Sequence, residues 1–559
     1  MKVEVASSKR FETCEDCWIG LFAPADSPIQ VDLQAQAFPR TQTMPVKWMK
    51  ICGGNPNSSI VVNNSGTRCS AVVWVDISHI RYDFRVHLFR NGTDTPVHLA
   101  QSPLLRFDQP GYPIHGHLML THNPSEMQLI WTTHTSLFPG CVQWGAVSGK
   151  YDQERCVKDS WTFSKHSMCG RPATGQGYRH PGHFFSVLLT DLQPGFRFFY
   201  RFGCSETGWS SEQHAQARPA FGTPTTFVAL YADVGRGDKD GSVCGGWSIN
   251  STTGKSFTPG ATSVQAQVAS KVHKAGIAGL SAVTLHLGDV SYACGFDAAW
   301  SLFMSGIQPI ALQAPYAVVQ GNHERDWPSS GSAYDGVDSG GECGVAAAAR
   351  FPGPDGARNS TGAYYSFAHG PLHIVLINTE ISLEPGSEQG DWLEADLAGV
   401  NRWQTPFVIV GGHRPIYAGI HRDPVLGDAL EPVLSKHKVD MFICGHVHFA
   451  QITCPVYNSS CVSESGKYHG VTHLLIGHGG FQIDQGLDNS SVVFPDWSEA
   501  VFFENGFATL TTDMVSQANA ASESALIKMV VDVFSASDNE PKFAHTATKQ
   551  HRFEEAVAQ

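Results

Sequence analysis

The chain has 559 residues, with 38 basic and 51 acidic side chains and a formal net charge of −13 at neutral pH. This length suits about three or four domains, and the negative charge argues against binding of a nucleic-acid polymer through bulk electrostatics. No apolar run approaches the roughly 20 residues needed to cross a bilayer, so no membrane span is expected. A phosphate substrate would need local positive charge, such as metal ions.

The first part of the chain contains two successive runs of strand-like sequence. Residues 1–110 alternate β-branched and aromatic residues with Gly and Asn turns, as in SAVVWVDI, which predicts an N-terminal β-sandwich domain. Residues 111–222, from GYPIHGHLML to LQPGFRFFYRFG and beyond, predict a second small sandwich of the immunoglobulin or fibronectin type. We interpret both domains as scaffold.

From residue 223 the pattern changes to apolar strands that alternate with segments of helical spacing. Strands such as TTFVALYADVG and VDMFICGHVH are nearly continuous apolar runs, which are typical of a sheet covered on both faces. We predict an α/β domain over residues 223–465, a C-terminal segment with strand-like pieces over 466–540, and a polar tail over 541–559.

The cysteines indicate an oxidising compartment, since their number, fourteen, is even and large. Cys454 and Cys461 are the best candidate disulfide because they bracket a short loop that carries a glycosylation sequon. Cys14 and Cys17 match one half of a zinc site. Because no second CxxC completes that site, a disulfide or free thiols are favoured over zinc.

Seven glycosylation sequons also favour a secreted, extracellular or vacuolar protein. Their asparagines are Asn57, Asn63, Asn91, Asn250, Asn359, Asn458 and Asn489. The first residues, MKVEVASSKRFETCEDCWIG, contain no apolar signal-peptide core. We therefore expect that the native protein has a first segment that this sequence lacks.

Five of the α/β strands are followed directly by polar side chains, at the position where open α/β sheets place their sites. These side chains are Asp233 in YADVGRG, Asp289 and Tyr292 in LGDVSYACGF, Asn322 and His323 in QGNHERDW, His413 in VIVGGHRP, and His446 and His448 in CGHVHFAQ. One Asp or His after a strand is usually structural, but five successive instances indicate a single site.

The residue types fit two metal ions. Two ions about 3.5–4 Å apart can clamp a phosphoryl group and need a bridging carboxylate, for which Asp289 is the candidate. A hard trivalent ion prefers carboxylate and phenolate oxygens, whereas an Asn carbonyl with two imidazoles suits a borderline divalent ion. The polar side chains of this sequence include both kinds of donor, so they fit one trivalent and one divalent ion.

The motifs DVG, GDVSY, GNHE, VGGH and GHVH, in this order, match the five blocks of the purple acid phosphatase family, DxG, GDxxY, GNH[DE], VxxH and GHxH. Together with WIGLFAPAD, GNHERDWPSSGSAYDGVDSGGECG and HVHFAQITCPVY, they make nearly the whole chain resemble the large plant-type branch described as nucleotide pyrophosphatase/phosphodiesterase-like. The resemblance implies an α/β metallophosphoesterase sandwich, with two mixed sheets flanked by helices. Two all-β sandwich domains would precede it, the second of them fibronectin type III-like.

The resemblance also implies a binuclear centre of Fe(III) and one divalent ion, which is zinc, iron or manganese. The ferric site would use Asp233, Tyr292, His448 and the bridging Asp289, and the divalent site Asp289, Asn322, His413 and His446. Tyr292 implies visible colour. Related enzymes with two divalent ions generally have a DxH first block, whereas the third position here is Gly235.

The implied activity is that of an acid phosphatase, in which a metal-bound hydroxide attacks a phosphate monoester. His323 is placed to stabilise charge on the phosphate oxygens, with structural support of the ligands as the alternative. His421 is the candidate general acid, although it follows His413 more closely than the family's usual acid does. The family usually continues GHVH with an aromatic residue and Glu-Arg. Here Ala450 and Gln451 replace that pair, so a charged contact is expected to be missing.

Two alternatives remain open. Cleavage of phosphodiesters or nucleotide pyrophosphates is favoured by the branch resemblance and would use the same ligands. A non-catalytic binding or adhesion protein built on β-sandwiches would show a damaged ligand set, and no ligand is damaged here. The expected partner is a small phosphate ester or a nucleotide, and the sequence does not determine the oligomeric state.

Overall fold

The structure is a computed structural model of the chain. It describes residues 2–6, 17–32, 40–51, 58–62, 69–75, 77–109, 111–220, 223–235, 260–354, 356, 364–462, 469–484, 486–488, 491–517 and 524–552. Within these residues the chain forms two all-β sandwich domains, followed by an α/β domain with two mixed sheets. The predicted fold class is thereby confirmed.

The N-terminal domain contains a three-stranded sheet of order β1-β5-β4 and a four-stranded sheet of order β3-β2-β6-β7. The strands are β1 (Lys2–Ala6), β2 (Trp18–Phe22), β3 (Lys47–Lys50), β4 (Ser58–Val62), β5 (Cys69–Trp74), β6 (Arg85–Arg90) and β7 (Val97–Gln101). Trp18 stacks on Phe89, with ring centroids 4.2 Å apart, so paired aromatic residues of adjacent strands anchor the four-stranded sheet.

The second domain packs a sheet of order β12-β9-β8 with a sheet of order β11-β10-β13-β14, in which β15 also pairs with β13. The strands are β8 (Ile114–Leu120), β9 (Met127–Thr133), β10 (Gly140–Gly145), β11 (Gln153–Val157), β12 (His183–Leu189), β13 (Arg197–Cys204), β14 (Gly208–Trp209) and β15 (Gln213–Gln216). Trp131 and Tyr200 lie in its fully buried core. A disulfide between Cys141 and Cys156 joins β10 to β11.

The α/β domain contains the remaining strands and six helices. The strands are β16 (Thr226–Tyr231), β17 (Ala282–Leu287), β18 (Tyr316–Val319), β19 (Tyr365–His369), β20 (Leu372–Leu376), β21 (Phe407–Gly411), β22 (Tyr417–Ala418), β23 (His421–Arg422), β24 (Met441–Cys444), β25 (Ala450–Thr453), β26 (Val456–Tyr457), β27 (Ser460–Cys461), β28 (Thr472–Ile476), β29 (Ser498–Phe502), β30 (Gly506–Gln517), β31 (Ser524–Ser535) and β32 (Pro541–Arg552). The helices are α1 (Ala261–Ile277), α2 (Asp297–Ala311), α3 (Asn322–Arg325), α4 (Val345–Arg350), α5 (Glu388–Ala398) and α6 (Pro424–Lys436).

One sheet has six strands in the order β18-β17-β16-β30-β31-β32, and the other has seven in the order β19-β20-β21-β24-β28-β25-β29. Both sheets are mixed. Strands β16, β17 and β18 run parallel, as do β20, β21, β24 and β28, and the other strand pairs are antiparallel. Apolar residues such as Leu230 and Ile443 belong to one buried cluster between the sheets. Helices α1 and α2 cover the six-stranded sheet, while α5 and α6 cover the other.

The C-terminal residues differ from the prediction. Residues 541–552, predicted as part of a polar tail, form strand β32, which pairs with β31 at the edge of the six-stranded sheet. Its alternating side chains include Phe543 and Ala547, which pack against the cluster between the sheets. An edge strand with one solvent-facing side needs only this sparse apolar pattern, which explains why the sequence suggested a tail.

The predicted disulfide between Cys454 and Cys461 is confirmed. A further disulfide, Cys169–Cys343, connects the second domain to the α/β domain. Cys14 lies outside the described residues, as do the sequon asparagines Asn57, Asn63, Asn250, Asn359 and Asn489. The other two sequon asparagines, Asn91 and Asn458, are exposed in turns.

No helix in the described ranges combines the length and the apolar character needed to cross a bilayer.

Candidate metal centre

The seven predicted ligands follow the carboxyl ends of five strands. Asp233 follows β16, Asp289 and Tyr292 follow β17, Asn322 follows β18, His413 follows β21, and His446 and His448 follow β24. Strands β16, β17 and β18 are parallel neighbours in one sheet, and β21 and β24 are parallel neighbours in the other. The strand ends of both sheets therefore meet in one place, and they bring the seven side chains together.

Four of these side chains form a first group. Donor atoms of Asp233, Asp289 and His448 all lie within 4.8 Å of one another. The Tyr292 hydroxyl lies 3.0 Å from Asp233 Oδ1 and 3.0 Å from His448 Nε2. This group offers two carboxylates, a phenol and one imidazole, which suits a hard trivalent cation.

A second group shares Asp289 with the first. Donor atoms of Asp289, His413 and His446 lie within 4.8 Å of one another. Asn322 Oδ1 lies 3.0 Å from His413 Nε2 and 2.9 Å from His446 Nδ1. One carboxylate common to two adjacent groups is the arrangement that a pair of bridged ions requires.

Backbone carbonyls fix two of the imidazoles in the tautomer that a metal needs. His413 Nδ1 donates a hydrogen bond to Leu287 O at 2.9 Å, and His448 Nδ1 donates to Gln482 O at 2.8 Å. A carbonyl oxygen only accepts, so in the neutral ring Nε2 carries the lone pair. Both lone pairs therefore face the site, as they do in histidines that bind a metal.

The electrostatics of the site also favour cations. Burial lowers the pKa of His413, but Asp289, Asp233 and Glu380 together raise it to about 10. Burial opposes ionisation of Asp289, yet the neighbouring His413 and His323 hold its pKa well below the ordinary value. The buried carboxylates thus attract positive charge, which a proton or a metal ion can supply.

The backbone at four of the seven residues lies in the left-handed region that side chains other than glycine rarely adopt. The φ angles are 57° at Asp233, 48° at Asp289, 48° at Tyr292 and 73° at His446. Such conformations cost of order 1–3 kcal/mol each and cluster at functional sites. The surrounding structure therefore holds these side chains in place at an energetic cost.

Glycines beside the ligands allow close approach. A Cβ atom on Gly321 would lie 2.3 Å from Asp289 Oδ1, and a Cβ atom on Gly445 would lie 2.4 Å from Asp233 Oδ2. No side chain fits at either position, which explains the glycines in the GNH and GHxH motifs. Glu324 joins two of the ligand loops, because it accepts hydrogen bonds from Gly321 N at 3.0 Å and Val290 N at 2.9 Å.

The sequence did not predict three acidic residues that lie around the second group. Asp338 Oδ2 accepts a hydrogen bond from Asn322 Nδ2 at 3.1 Å, so the amide oxygen of Asn322 is turned toward the histidines. Arg414 donates hydrogen bonds to Glu380 and Asp326 at 2.9 and 3.0 Å. Asp338 lies in the matched segment VDSGGECG, but nothing in its spacing pointed to Asn322.

Comparison with known proteins identifies the family. The model described as "Purple acid Phosphatase, N-terminal domain" matches residues 113–217, and "Calcineurin-like phosphoesterase" matches residues 268–450. A relative from Arabidopsis thaliana, named "Probable inactive purple acid phosphatase 1", is 32% identical over 521 residues, which cover 89% of this chain and 80% of the relative. The chain belongs to the purple acid phosphatase family.

Two further comparisons bear on the fold and on the candidate function. The solved structure of the purple acid phosphatase PPD1 from yellow lupin (Lupinus luteus) seeds matches 98% of this chain and 93% of its own, with a TM-score of 0.81 and 27% identity. A "Nucleotide pyrophosphatase/phosphodiesterase" from Hordeum vulgare is 30% identical over 298 residues, which cover 51% of this chain and 75% of the relative. The fold is therefore that of a purple acid phosphatase over nearly the whole chain.

The two predicted catalytic histidines differ in position. His323 Nε2 lies 3.8 Å from Asp289 Oδ2, and its side chain is 13% exposed at the edge of the site. His421 is exposed on β23, and the hydrogen bonds of the described residues do not connect it with the seven predicted ligands. His323 therefore lies at the site. No hydrogen bond among the described residues connects His421 with the site, so its role stays a prediction.

Gln451 occupies the position where the family usually has arginine. Its amide is 1% exposed: Oε1 accepts from Gly419 N at 2.7 Å, and Nε2 donates to Gly419 O at 3.0 Å and to Ser498 Oγ at 2.7 Å. The charged contact expected from the family is thus replaced by a neutral one. Gln451 anchors the tip of the β22–β23 hairpin, which carries His421.

Proposed function

We propose that this member of the purple acid phosphatase family hydrolyses small phosphate monoesters as an acid phosphatase. The observation that carries this proposal is the shared position of Asp289 in two adjacent groups of donor atoms. The Arabidopsis relative bears the word "inactive" in its name, but every ligand position of the family motifs is filled here. A complete donor set favours catalysis over a non-catalytic binding role.

The centre would hold Fe(III) and one divalent ion, which is zinc, iron or manganese. The ferric ion would be held by Asp233, Asp289, Tyr292 and His448, and the divalent ion by Asp289, Asn322, His413 and His446. When bound, such ions polarise phosphoryl oxygens and lower the pKa of water. The donor types of the two groups fit this pair of ions.

The protein's own residues would bind and orient the substrate. His323 N donates a hydrogen bond to Asp289 Oδ1 at 3.0 Å, which fixes the residue beside the centre. Its partly exposed imidazole is then positioned to donate a hydrogen bond to a phosphate oxygen and to stabilise developing negative charge there. His421, on the anchored hairpin, would protonate the leaving alkoxide as general acid.

Cleavage of phosphodiesters or nucleotide pyrophosphates is the second candidate function. The specific observation in its favour is the barley relative, whose name is that of a nucleotide pyrophosphatase/phosphodiesterase. The predicted ligands do not separate the two reactions, because both need the same polarised phosphoryl group. The residues that would contact the second ester group decide between them.

The decisive experiment measures kcat/KM for an aryl phosphate monoester and the matching diester near pH 5, together with the metal content of the purified protein. A preference for the monoester with two metals per chain supports the acid phosphatase. A preference for the diester moves the function to the second candidate. Bound metal without turnover of either ester overturns both and favours a binding protein.

The role of His421 needs a separate test. His421→Ala is expected to slow esters with poor leaving groups most, because protonation matters most for a basic alkoxide. His122→Ala provides a control, since His122 is an exposed histidine on the second domain. Equal rates and equal leaving-group dependence in the wild type and His421→Ala would show that His421 is not the acid.

We also propose that the protein is secreted to the cell exterior or to the vacuole. Three disulfides and the exposed sequon asparagines Asn91 and Asn458 support this location. Mass spectrometry of the native protein is expected to find glycans on both asparagines. An unmodified protein with reduced cysteines would contradict secretion.

A further inference from the structure

The β22–β23 hairpin, which carries His421, is closed by two residues that bind one buried carboxylate. Tyr417 on β22 lies opposite Arg422 on β23, and the next pair toward the tip is Ala418 and His421. The Tyr417 hydroxyl donates a hydrogen bond to Glu431 Oε1. Arg422 donates to Glu431 Oε2 from Nε at 3.0 Å and from Nη2 at 2.6 Å. Glu431 therefore holds both strands of the hairpin at the pair next to His421.

Glu431 is a buried charge whose partners compensate it. It lies on helix α6, which follows the hairpin in the chain, and it is 3% exposed. A buried carboxylate is costly unless it is paired and hydrogen-bonded. Arg422 supplies the opposite charge. Burial raises the pKa of Tyr417, and the hydrogen bond to Glu431 raises it further, so the phenol remains a donor. All three side chains thus have the protonation state that the contacts require.

The turn between β26 and β27 binds the same carboxylate. Asn458 N donates a hydrogen bond to Glu431 Oε1 at 3.0 Å. The disulfide between Cys454 and Cys461 closes the segment that contains this turn, which limits its movement away from helix α6. Glu431 therefore joins the hairpin, helix α6 and a disulfide-closed turn, three parts of the chain that are not adjacent in one sheet.

The hairpin is thus held at both ends. Gln451 binds the tip through Gly419, and Glu431 binds the closing pair. His421 lies between these anchors with an exposed side chain. A general acid must come within hydrogen-bond reach of the leaving oxygen, so the backbone that carries it has to be fixed. We propose that Glu431 is a positioning residue that holds His421 for proton transfer, an inference that rests on the acid phosphatase activity proposed above.

Glu431→Gln tests this role, because the amide keeps the shape of the side chain but accepts fewer hydrogen bonds and carries no charge. We expect kcat for an alkyl phosphate with a poor leaving group to fall about tenfold, and kcat for an activated aryl phosphate to change little. Asp428→Asn is the matched control. Asp428 accepts a hydrogen bond from the same Arg422 at 2.8 Å, but its side chain is 76% exposed, so both rates should stay unchanged.

A double-mutant cycle separates positioning of His421 from a general structural role. Residues that act through one another have non-additive effects. In the His421→Ala background, Glu431→Gln should therefore cause no further fall in kcat for the alkyl phosphate. An equal fall in both backgrounds would overturn the proposal, because Glu431 would then act elsewhere. If His421→Ala left all rates unchanged, the positioning role would fail while the acid phosphatase activity stood. Absence of turnover in the wild type would overturn both.

Hydrogen exchange of the full-length protein provides a measurement that does not need turnover. The peptide that covers residues 416–423 should exchange faster in Glu431→Gln than in the wild type. Helix α1 should exchange equally in both proteins, which shows that the variant is folded. Equal exchange of the hairpin peptide would overturn the proposal. Tyr417→Phe, which removes one donor and keeps the ring, is the second variant should Glu431→Gln not fold. It should shift the exchange and kcat in the same direction by a smaller factor, and wild-type values would equally overturn the proposal.

Discussion

The phenol ring of Tyr292 lies parallel to the ring of Phe481, with centroids 3.9 Å apart and an interplanar angle of 11°. Phe481 also donates a backbone hydrogen bond from N to Asp233 O at 3.0 Å. One residue of the C-terminal segment thus contacts two members of the first donor group. The stack holds the phenol oxygen near Asp233 and His448, where a ferric ion would bind.

Tyr292→Phe tests this relationship. The substitution removes the phenol oxygen but leaves a ring that can stack on Phe481, so the fold should persist. We expect loss of the visible absorption band and a fall in bound iron, measured by spectroscopy and metal analysis. Tyr364→Phe is the control, since the Tyr364 hydroxyl instead contacts Glu388. A variant with the wild-type band and iron content would refute the phenolate assignment.

Asp338 is expected to position Asn322 for the divalent ion. Asp338→Ala leaves the Asn322 amide free to rotate, because its Nδ2 group loses the acceptor at 3.1 Å. Loss of such an outer contact typically weakens metal binding about 10–100-fold. Titration with zinc would measure the change. Asp335→Ala, an exposed aspartate three positions away, should bind zinc as the wild type does. Equal affinities of the two variants would contradict the positioning role.

Glu342 should make the stability depend on pH. Its carboxyl group is 2% exposed, and burial raises its pKa from 4.5 to about 7. A raised carboxyl pKa means that the folded protein binds the proton more tightly than the unfolded chain does. The contribution of Glu342 to the free energy of unfolding is therefore complete below pH 4.5 and is lost as the pH rises through about 7. Over this pH range the free energy of unfolding should fall by about 3 kcal/mol.

Denaturant unfolding from pH 4 to 8 would measure this dependence. Glu342→Gln is expected to flatten it, because the amide does not titrate. The variant should be less stable at low pH, since one of the two donors at Glu342, Gly295 N or Trp300 Nε1, loses its acceptor. Glu384→Gln, at an exposed position, should retain the wild-type slope. An unchanged slope in Glu342→Gln would disprove the assignment.

Gln451→Glu places a carboxyl group at a site whose partners suit an amide. An ionised carboxylate would face Gly419 O, to which Gln451 Nε2 now donates. A buried, unsatisfied group costs about 1–3 kcal/mol, so the Tm should fall at pH 7 and partly recover near pH 4, where a protonated Glu can donate. Gln193→Glu, at an exposed position, should have little effect. Wild-type stability at pH 7 would mean that the hairpin tip does not need the amide.

The amino-acid sequence by itself identified the family and the fold class, and it predicted a set of metal ligands whose side chains the fold brings together. Asp233, Asp289, Asn322, His413 and His446 were predictable because each directly follows an apolar strand, and parallel strands bring their carboxyl ends to one edge. The Cys454–Cys461 disulfide was predictable for a similar reason, since a short loop separates its cysteines. These are local patterns, and local sequence determines strand ends and short loops.

Contacts between distant segments were decided only by the tertiary structure. The Asp338–Asn322 hydrogen bond and the Cys169–Cys343 disulfide join residues that no local pattern relates. Strand β32 is polar and exposed on one face, so only its pairing with β31 distinguishes it from a tail. The packing of the folded chain determines which of many chemically similar side chains come into contact, and a single sequence does not show which ones do.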